Sequence, residues 1–246
     1  MTLRIGFDLD GVLADMTSAM DREAMAEFGS IPDNHTLVTS QQAGPDDEAS
    51  PGDEAIPGRM RHQLTSGQQR QLWKRVRAIE NFWESLDEME SGVVARLSTM
   101  SQERRWEVIF LTKRPETAGR TAQLQSQLWL QGHGFPLPSV FVVPGSRGRI
   151  AAALDLDLVV DDRPENCVDV VAESRSKAIL ISPEPDDRIA PSAQRLGIGV
   201  VPSVARCLDL LANADGRSIG RPSVVDRLMR LLRLKSHPHR LSTRSI

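Results

Sequence analysis

Leu3-Arg4-Ile5-Gly6-Phe7-Asp8-Leu9-Asp10-Gly11-Val12-Leu13-Ala14-Asp15 decides how this chain is read. An apolar run from Leu3 to Phe7 leads into two carboxylates spaced two apart, then a glycine. Alternation along a strand sends residues i and i+2 to the same side, so Asp8 and Asp10 are expected close together at a strand end. Two anions that near each other repel unless a cation or a shared proton compensates. Gly11 permits a tight turn and leaves room for a ligand beside the carboxylates. Taken alone, Asp-x-Asp-Gly also suits a solvated strand end and turn.

A second acidic pair settles the choice. Leu154-Asp155-Leu156-Asp157-Leu158-Val159-Val160-Asp161-Asp162-Arg163-Pro164-Glu165-Asn166 again runs an apolar strand into adjacent carboxylates. Between the two lies Val108-Ile109-Phe110-Leu111-Thr112-Lys113-Arg114-Pro115, a third apolar strand ending in a hydroxyl and two cations. Three strands with Asp/Asp, Thr and Asp/Asp at their carboxyl ends describe one site, because an open parallel α/β sheet binds ligands just outside those ends. Strands alternating with helices along the chain predict a Rossmann-like parallel sheet with right-handed crossovers.

This ordered set resembles the haloacid dehalogenase-like (HAD) superfamily of phosphohydrolases, over Leu3 to Asp15 and Trp106 to Asn166. The resemblance implies an aspartyl-phosphate mechanism with Mg2+. It makes Asp8 the nucleophile and Asp10 the general acid/base, with Thr112 and Lys113 on the phosphoryl group. Asp8, Asp10, Asp161 and Asp162 are expected at the metal, with Asp161 and Asp162 not distinguished. Carboxylates are suited to both tasks, since one can form a covalent intermediate and Mg2+ prefers oxygen ligands. The family's third motif is normally a Lys. Its usual spacing from Asp161 falls on Arg147 in Gly145-Ser146-Arg147-Gly148-Arg149, expected to bind phosphate, with Arg149 as the other candidate. Arginine is always charged and grips phosphate through a fixed fork.

The segments FDLDGVLAD, LTxRP and VDDRPEN are most similar to the 5'(3')-deoxyribonucleotidase-like branch. That likeness implies a phosphomonoesterase acting on a small phosphorylated substrate, a nucleoside monophosphate being the first choice. Arg114 and Trp83 are then the expected substrate contacts, Trp83 by stacking on a base. An ion-pair role for Arg114 and a packing role for Trp83 are the alternatives. A phosphate- or nucleotide-binding module without turnover is the alternative function. A dehalogenase is disfavoured, because those members typically lack the second Asp.

The rest of the chain is uneven. Residues 1–15 and 91–212 are expected to form the core, and 16–90 a helical insert of about 75 residues. In the resembled superfamily an insert there is a type 1 cap. Helices are predicted over Thr17 to Phe28, stopped by Gly29, and over Ser66 to about Leu86, with Leu72, Val76, Ile79 and Trp83 on one face. Ile31 to Arg59 is Pro/Gly-rich and acidic, through Asp46, Asp47, Glu48, Asp53 and Glu54. Thr117 to Leu130 is predicted helical, with Leu124, Leu128 and Leu130 inward.

Residues 213–246 form a basic amphipathic tail. From Arg217 onward it carries eight Lys or Arg against one Asp, +7, while the whole chain carries −3. An acidic partner, a membrane surface, nucleic acid, or the acidic core itself are its candidate contacts. The five His residues, at 35, 62, 133, 237 and 239, have no metal-ligand spacing. Two Cys, no leader and no apolar run of membrane length make a cytoplasmic, reducing setting the expectation.

Overall fold

The computed structural model describes residues 2–29, 64–183, 189–215 and 224–232. The acidic segment 31–59, the tail beyond 232, and His35, His62, His237 and His239 lie outside the described residues.

The fold is α/β. Its sheet has six strands: β1 (Arg4–Asp8), β2 (Glu107–Thr112), β3 (Ser139–Val142), β4 (Leu158–Asp161), β5 (Lys177–Ile181) and β6 (Gly199–Val201). Their order is β3-β2-β1-β4-β5-β6. β1 runs parallel to β4, with Phe7 beside Val160, and β4–β5 and β5–β6 are also parallel. The chain steps outward from β1 through β2 to β3, then returns to the other side of β1 as β4. That reversal is a topological switch point, where open α/β sheets bind their ligands. Ile5, Phe7, Leu158, Val159 and Val160 are all fully buried. Strands covered on both faces read as continuous apolar runs for that reason.

Chain contacts divide the protein into two compact units. The first comprises Met1–Asp8, Ala95–Phe110 and Gly145–Ile246, the second Leu9–Val94 and Leu111–Pro144. The division falls elsewhere than the expected boundaries near 15 and 91, and passes through β2.

In the first unit, helix α5 (Arg147–Ala153) starts at Ser146, whose hydroxyl accepts the N–H groups of Gly148 and Arg149. This N-cap makes Arg147 the first helical residue. Gly148 is required by packing: a Cβ there would clash with the Asp169 carbonyl oxygen on helix α6 (Pro164–Glu173). α6 opens with Pro164, a residue preset for the first helical turn. The unit also contains α3 (Val93–Arg104) from Ala95 onward, α7 (Ile189–Arg195), α8 (Val204–Asp215) and α9 (Val224–Leu231). The described part of the basic tail is therefore helical. α9 packs against α8 and buries Val225, Leu228 and Met229, while Leu231 is exposed.

In the second unit, α1 (Met16–Phe28) is capped by Asp15, which accepts the Ser18 N–H. It ends at Gly29, where φ is +74°. α2 (Ser66–Ala78) begins with a capping box between Thr65 and Gln68. Arg75 of α2 pairs with Glu23 and Glu27 of α1.

The helix predicted to reach Leu86 stops at Ala78. Ile79 is extended, Asn81 is left-handed at φ +54°, and Phe82–Glu84 form a single 3-10 turn. Asn81 is one of the few non-glycine residues that tolerate this conformation. It is held there on both sides: its N–H donates to the Ala118 carbonyl at 2.8 Å, and its side-chain oxygen accepts the Arg120 N–H at 2.9 Å.

Helix α4 (Ala122–Gly132) starts later than predicted and presents a different face. Ala122, Gln125, Ser126, Trp129 and Leu130 are buried, whereas Leu124 is exposed. Two polar side chains on the inward face concealed it from an apolar-periodicity reading.

Candidate active site

The residues singled out from the sequence fall into two clusters, one in each unit. In the first, β1 ends at Asp8 and β4 ends at Asp161, both buried. Arg147, 2% exposed, donates from Nη2 to Oδ1 of Asp8 and from Nε to Oδ2 of Asp161 at 3.4 Å. Asn166 on α6 donates from Nδ2 to both oxygens of Asp161, at 3.0 Å each. The backbone N–H of Arg163 adds a contact to Oδ1 at 2.9 Å. One guanidinium thus serves two carboxylates at the switch point of the sheet, and the second carboxylate is further fixed by α6.

The electrostatics follow from this burial. Desolvation is the largest influence on Arg147 and works against its charge, yet Asp8, Asp161 and their hydrogen bonds together raise it above the ordinary arginine value. Burial also pushes the Asp161 carboxyl up, opposed by Arg147, Asn166 and the Arg163 N–H. Cys167, beside Asn166 on α6, has its thiol pushed well up, first by burial and then by the charges of Asp161, Asp162, Asp8 and Glu165. Such a thiol is inert as a nucleophile. Of the two candidate arginines, Arg147 is the one in the cluster. Arg149 is exposed and lies 3.8 Å from Glu173. Asp162 is half-buried, next to Asp161 but outside the contacts to Arg147 described above.

The second cluster surrounds Asp10. The loop after β1 closes tightly: the N–H groups of Leu13 and Ala14 donate to the Leu9 carbonyl at 2.8 Å, and Gly11 N–H donates to Ala14 at 2.9 Å. Gly11 takes φ +84°, which requires glycine at this turn. Asp10 accepts from Arg114 through Nε, at 3.1 and 2.9 Å, and through Nη2 at 2.7 Å. Thr112 donates its hydroxyl to Asp10 at 3.2 Å. Arg114 Nη1 donates to Ser126 at 2.9 Å. The guanidinium lies 5.0 Å from the Trp83 ring centroid and 6.0 Å from that of Trp129. Lys113, between Thr112 and Arg114, is half-buried.

Two expectations are corrected here. Arg114 does not present its head to a substrate: its side chain is completely buried and engaged by Asp10 and Ser126. Trp83 does not offer an open face to a nucleobase. It is fully buried, packs edge-on to Phe82, and donates its indole N–H to the Pro115 carbonyl at 2.9 Å. Gln125 and Ser126 are the supporting residues that the sequence does not flag, while Trp129 packs inward. Their signal is a helical spacing of mixed polarity, explained by Arg114 for Ser126 and by the Trp83 backbone N–H for Gln125.

Among the described residues, no three His, Cys, Asp or Glu side chains converge as a cation cage. Two guanidinium groups face three of the carboxylates Asp8, Asp10, Asp161 and Asp162, Arg147 between Asp8 and Asp161 and Arg114 against Asp10.

No family model and no curated protein matches the chain. Among solved structures, it is similar to a HAD family hydrolase from Deinococcus radiodurans R1 with bound phosphate and sodium. That match has 16% identity, covers 86% of this chain and 96% of the other, and has a TM-score of 0.49. It is also similar to a haloacid dehalogenase-like family hydrolase from Streptococcus pneumoniae, at 12% identity, 85% and 97% coverage and a TM-score of 0.48. A 2-haloacid dehalogenase from Pseudomonas syringae pv. Tomato DC3000 matches at 14% identity, 87% and 99% coverage and a TM-score of 0.42. Likenesses this distant bear on neither activity nor ligand.

Proposed function

We propose that this protein is a HAD-like phosphohydrolase that cleaves a small phosphate monoester through an aspartyl-phosphate intermediate. The observation that carries this reading is Asp8 at the carboxyl end of β1, at the switch point of the sheet and paired with buried Arg147. A carboxylate there can act as a nucleophile, and a guanidinium beside it has a fork of donors suited to phosphoryl oxygens. Phosphoryl transfer needs mainly such positioning and charge compensation.

In the first step an Asp8 oxygen forms a bond to phosphorus and the ester P–O bond breaks. Its electron pair stays on the leaving oxygen, which takes a proton from the Asp10 carboxyl. In the second step a water oxygen attacks the phosphorus of the aspartyl phosphate and gives its proton back to Asp10. The Asp8 oxygen departs and orthophosphate is released. Arg147 and Thr112 are assigned to the phosphoryl oxygens. Mg2+ enters from the sequence resemblance alone, and no step above uses it. A nucleoside monophosphate remains the first substrate to try, on the same resemblance.

A second reading, a phosphate-binding module without turnover, draws on the ion pairs that already occupy Asp8 and Asp10. The presence of Asp10 favours the enzyme, since binding alone does not need it. The test is phosphate release from 4-nitrophenyl phosphate by wild type and Asp8→Asn, with Mg2+ and after chelation. The expected result is release by wild type only. Equal release by both proteins overturns the enzyme. The chelated arm separates the Mg2+ of the resemblance from a site run by Arg147 alone.

A further inference from the structure

We infer that Arg114 is a positioning residue for Asp10, held on target by the indoles of Trp83 and Trp129. This rests on the reading of Asp10 as the proton donor to the leaving group. Three hydrogen bonds from Nε and Nη2 fix the Asp10 carboxyl, and Nη1 is tied to Ser126. Ser126 is in turn fixed, donating to the Ala122 carbonyl at 2.7 Å. The rings beside the guanidinium are anchored at their own N–H groups, Trp83 to Pro115 at 2.9 Å and Trp129 to Leu86 at 2.7 Å. Gln125, fully buried, accepts the Trp83 backbone N–H at 3.0 Å and donates to Thr117 at 2.9 Å.

Burying an arginine is costly unless every donor is met, and an apolar side chain of similar volume often serves stability as well. A guanidinium over-determined by a hydroxyl, two rings and a carboxylate at 13% exposure suits a task of orientation. Trp83 comes from the segment predicted as the end of the cap, so that insert contributes to aiming Asp10 through Arg114.

The experiment measures kcat/KM for wild type, Arg114→Met, Arg114→Lys and Trp83→Phe on a series of aryl and alkyl phosphates of rising leaving-group basicity. A misaimed proton donor harms poor leaving groups selectively. Arg114→Met is expected to lose about 10²-fold on an alkyl phosphate and about threefold or less on 4-nitrophenyl phosphate. Arg114→Lys and Trp83→Phe are expected to fall between, with slopes steeper than wild type. They carry the same test if Arg114→Met does not fold. An equal loss on all esters, or an unchanged slope, overturns the inference while leaving the phosphatase reading intact. A wild type that releases no phosphate from any ester overturns both.

Discussion

Asp8 and Asp10 are two residues apart in the chain, yet they are held in different ways. Asp8 shares Arg147 with a second buried carboxylate, Asp161, and Arg147 comes from the first turn of a helix. Asp10 has Arg114 to itself among the described ion pairs, and that arginine is walled by two indoles and a serine. The first arrangement places one positive charge between two negative ones and leaves a net negative cluster. The second is neutral and geometrically fixed. A nucleophile needs a neighbour that can also receive the incoming phosphoryl group. A proton donor needs only a fixed direction. The contrast between the two arginines suits the two proposed roles.

The comparison can be broken most directly at Asp8, the proposed nucleophile. Asp8→Asn is expected to reduce phosphate release by about 10³-fold or more, measured under single-turnover conditions, with folding checked by circular dichroism. The next largest effect concerns stability. Arg147→Met leaves Asp8 and Asp161 buried without their shared cation, a loss expected at about 3–5 kcal/mol by urea unfolding. Arg147→Lys should recover part of it. If Arg147→Met is as stable as wild type, the first cluster is not an ion-paired one. In the second cluster, Ser126→Ala removes one hydrogen bond from a charged donor and should cost about 1.5–3 kcal/mol by the same method.

A smaller signal sharpens the burial of the first cluster. Cys167 should not react with a thiol reagent in the native protein and should react once the protein is unfolded, as counted by mass spectrometry. Rapid native labelling would contradict the packing of α6. The smallest effect lies in the second unit. Asp21 has its carboxyl raised, first by burial and then by Asp15. A raised carboxyl holds its proton more tightly when folded, so its contribution is complete at low pH and is lost as pH rises through the folded value. Asp21→Asn should therefore gain on wild type in urea midpoint as pH rises above about 4. A gain that shrinks over that range would refute the assignment.

The placement of Asp8, Thr112 and Asp161 at strand ends is legible because its signals are local. The acidic pairs, the hydroxyl after an apolar strand and the glycine turn each lie within a few residues, and alternation along a strand assigns them to the sheet end. Where the reading depended on partners far along the chain, it went astray. Arg114 resembled a substrate ligand because it follows Thr112, but its environment comes from Trp83, Ser126 and Trp129. The helix predicted to run to Leu86 failed at Asn81, whose left-handed turn is stabilised by backbone around residues 118 and 120. The Leu124 face of α4 was preferred over the Gln125/Ser126 face because hydrophobicity is visible in sequence and a buried hydrogen-bond network is not.

The sequence by itself determined an α/β sheet with carboxylates at the ends of β1 and β4, since strand periodicity and residue chemistry act over short range. Only the tertiary structure decided which charges compensate them. It chose Arg147 over Arg149 and turned Arg114 inward. Those choices depend on which side chains converge from distant segments, and on the high cost of leaving any buried charge without a partner.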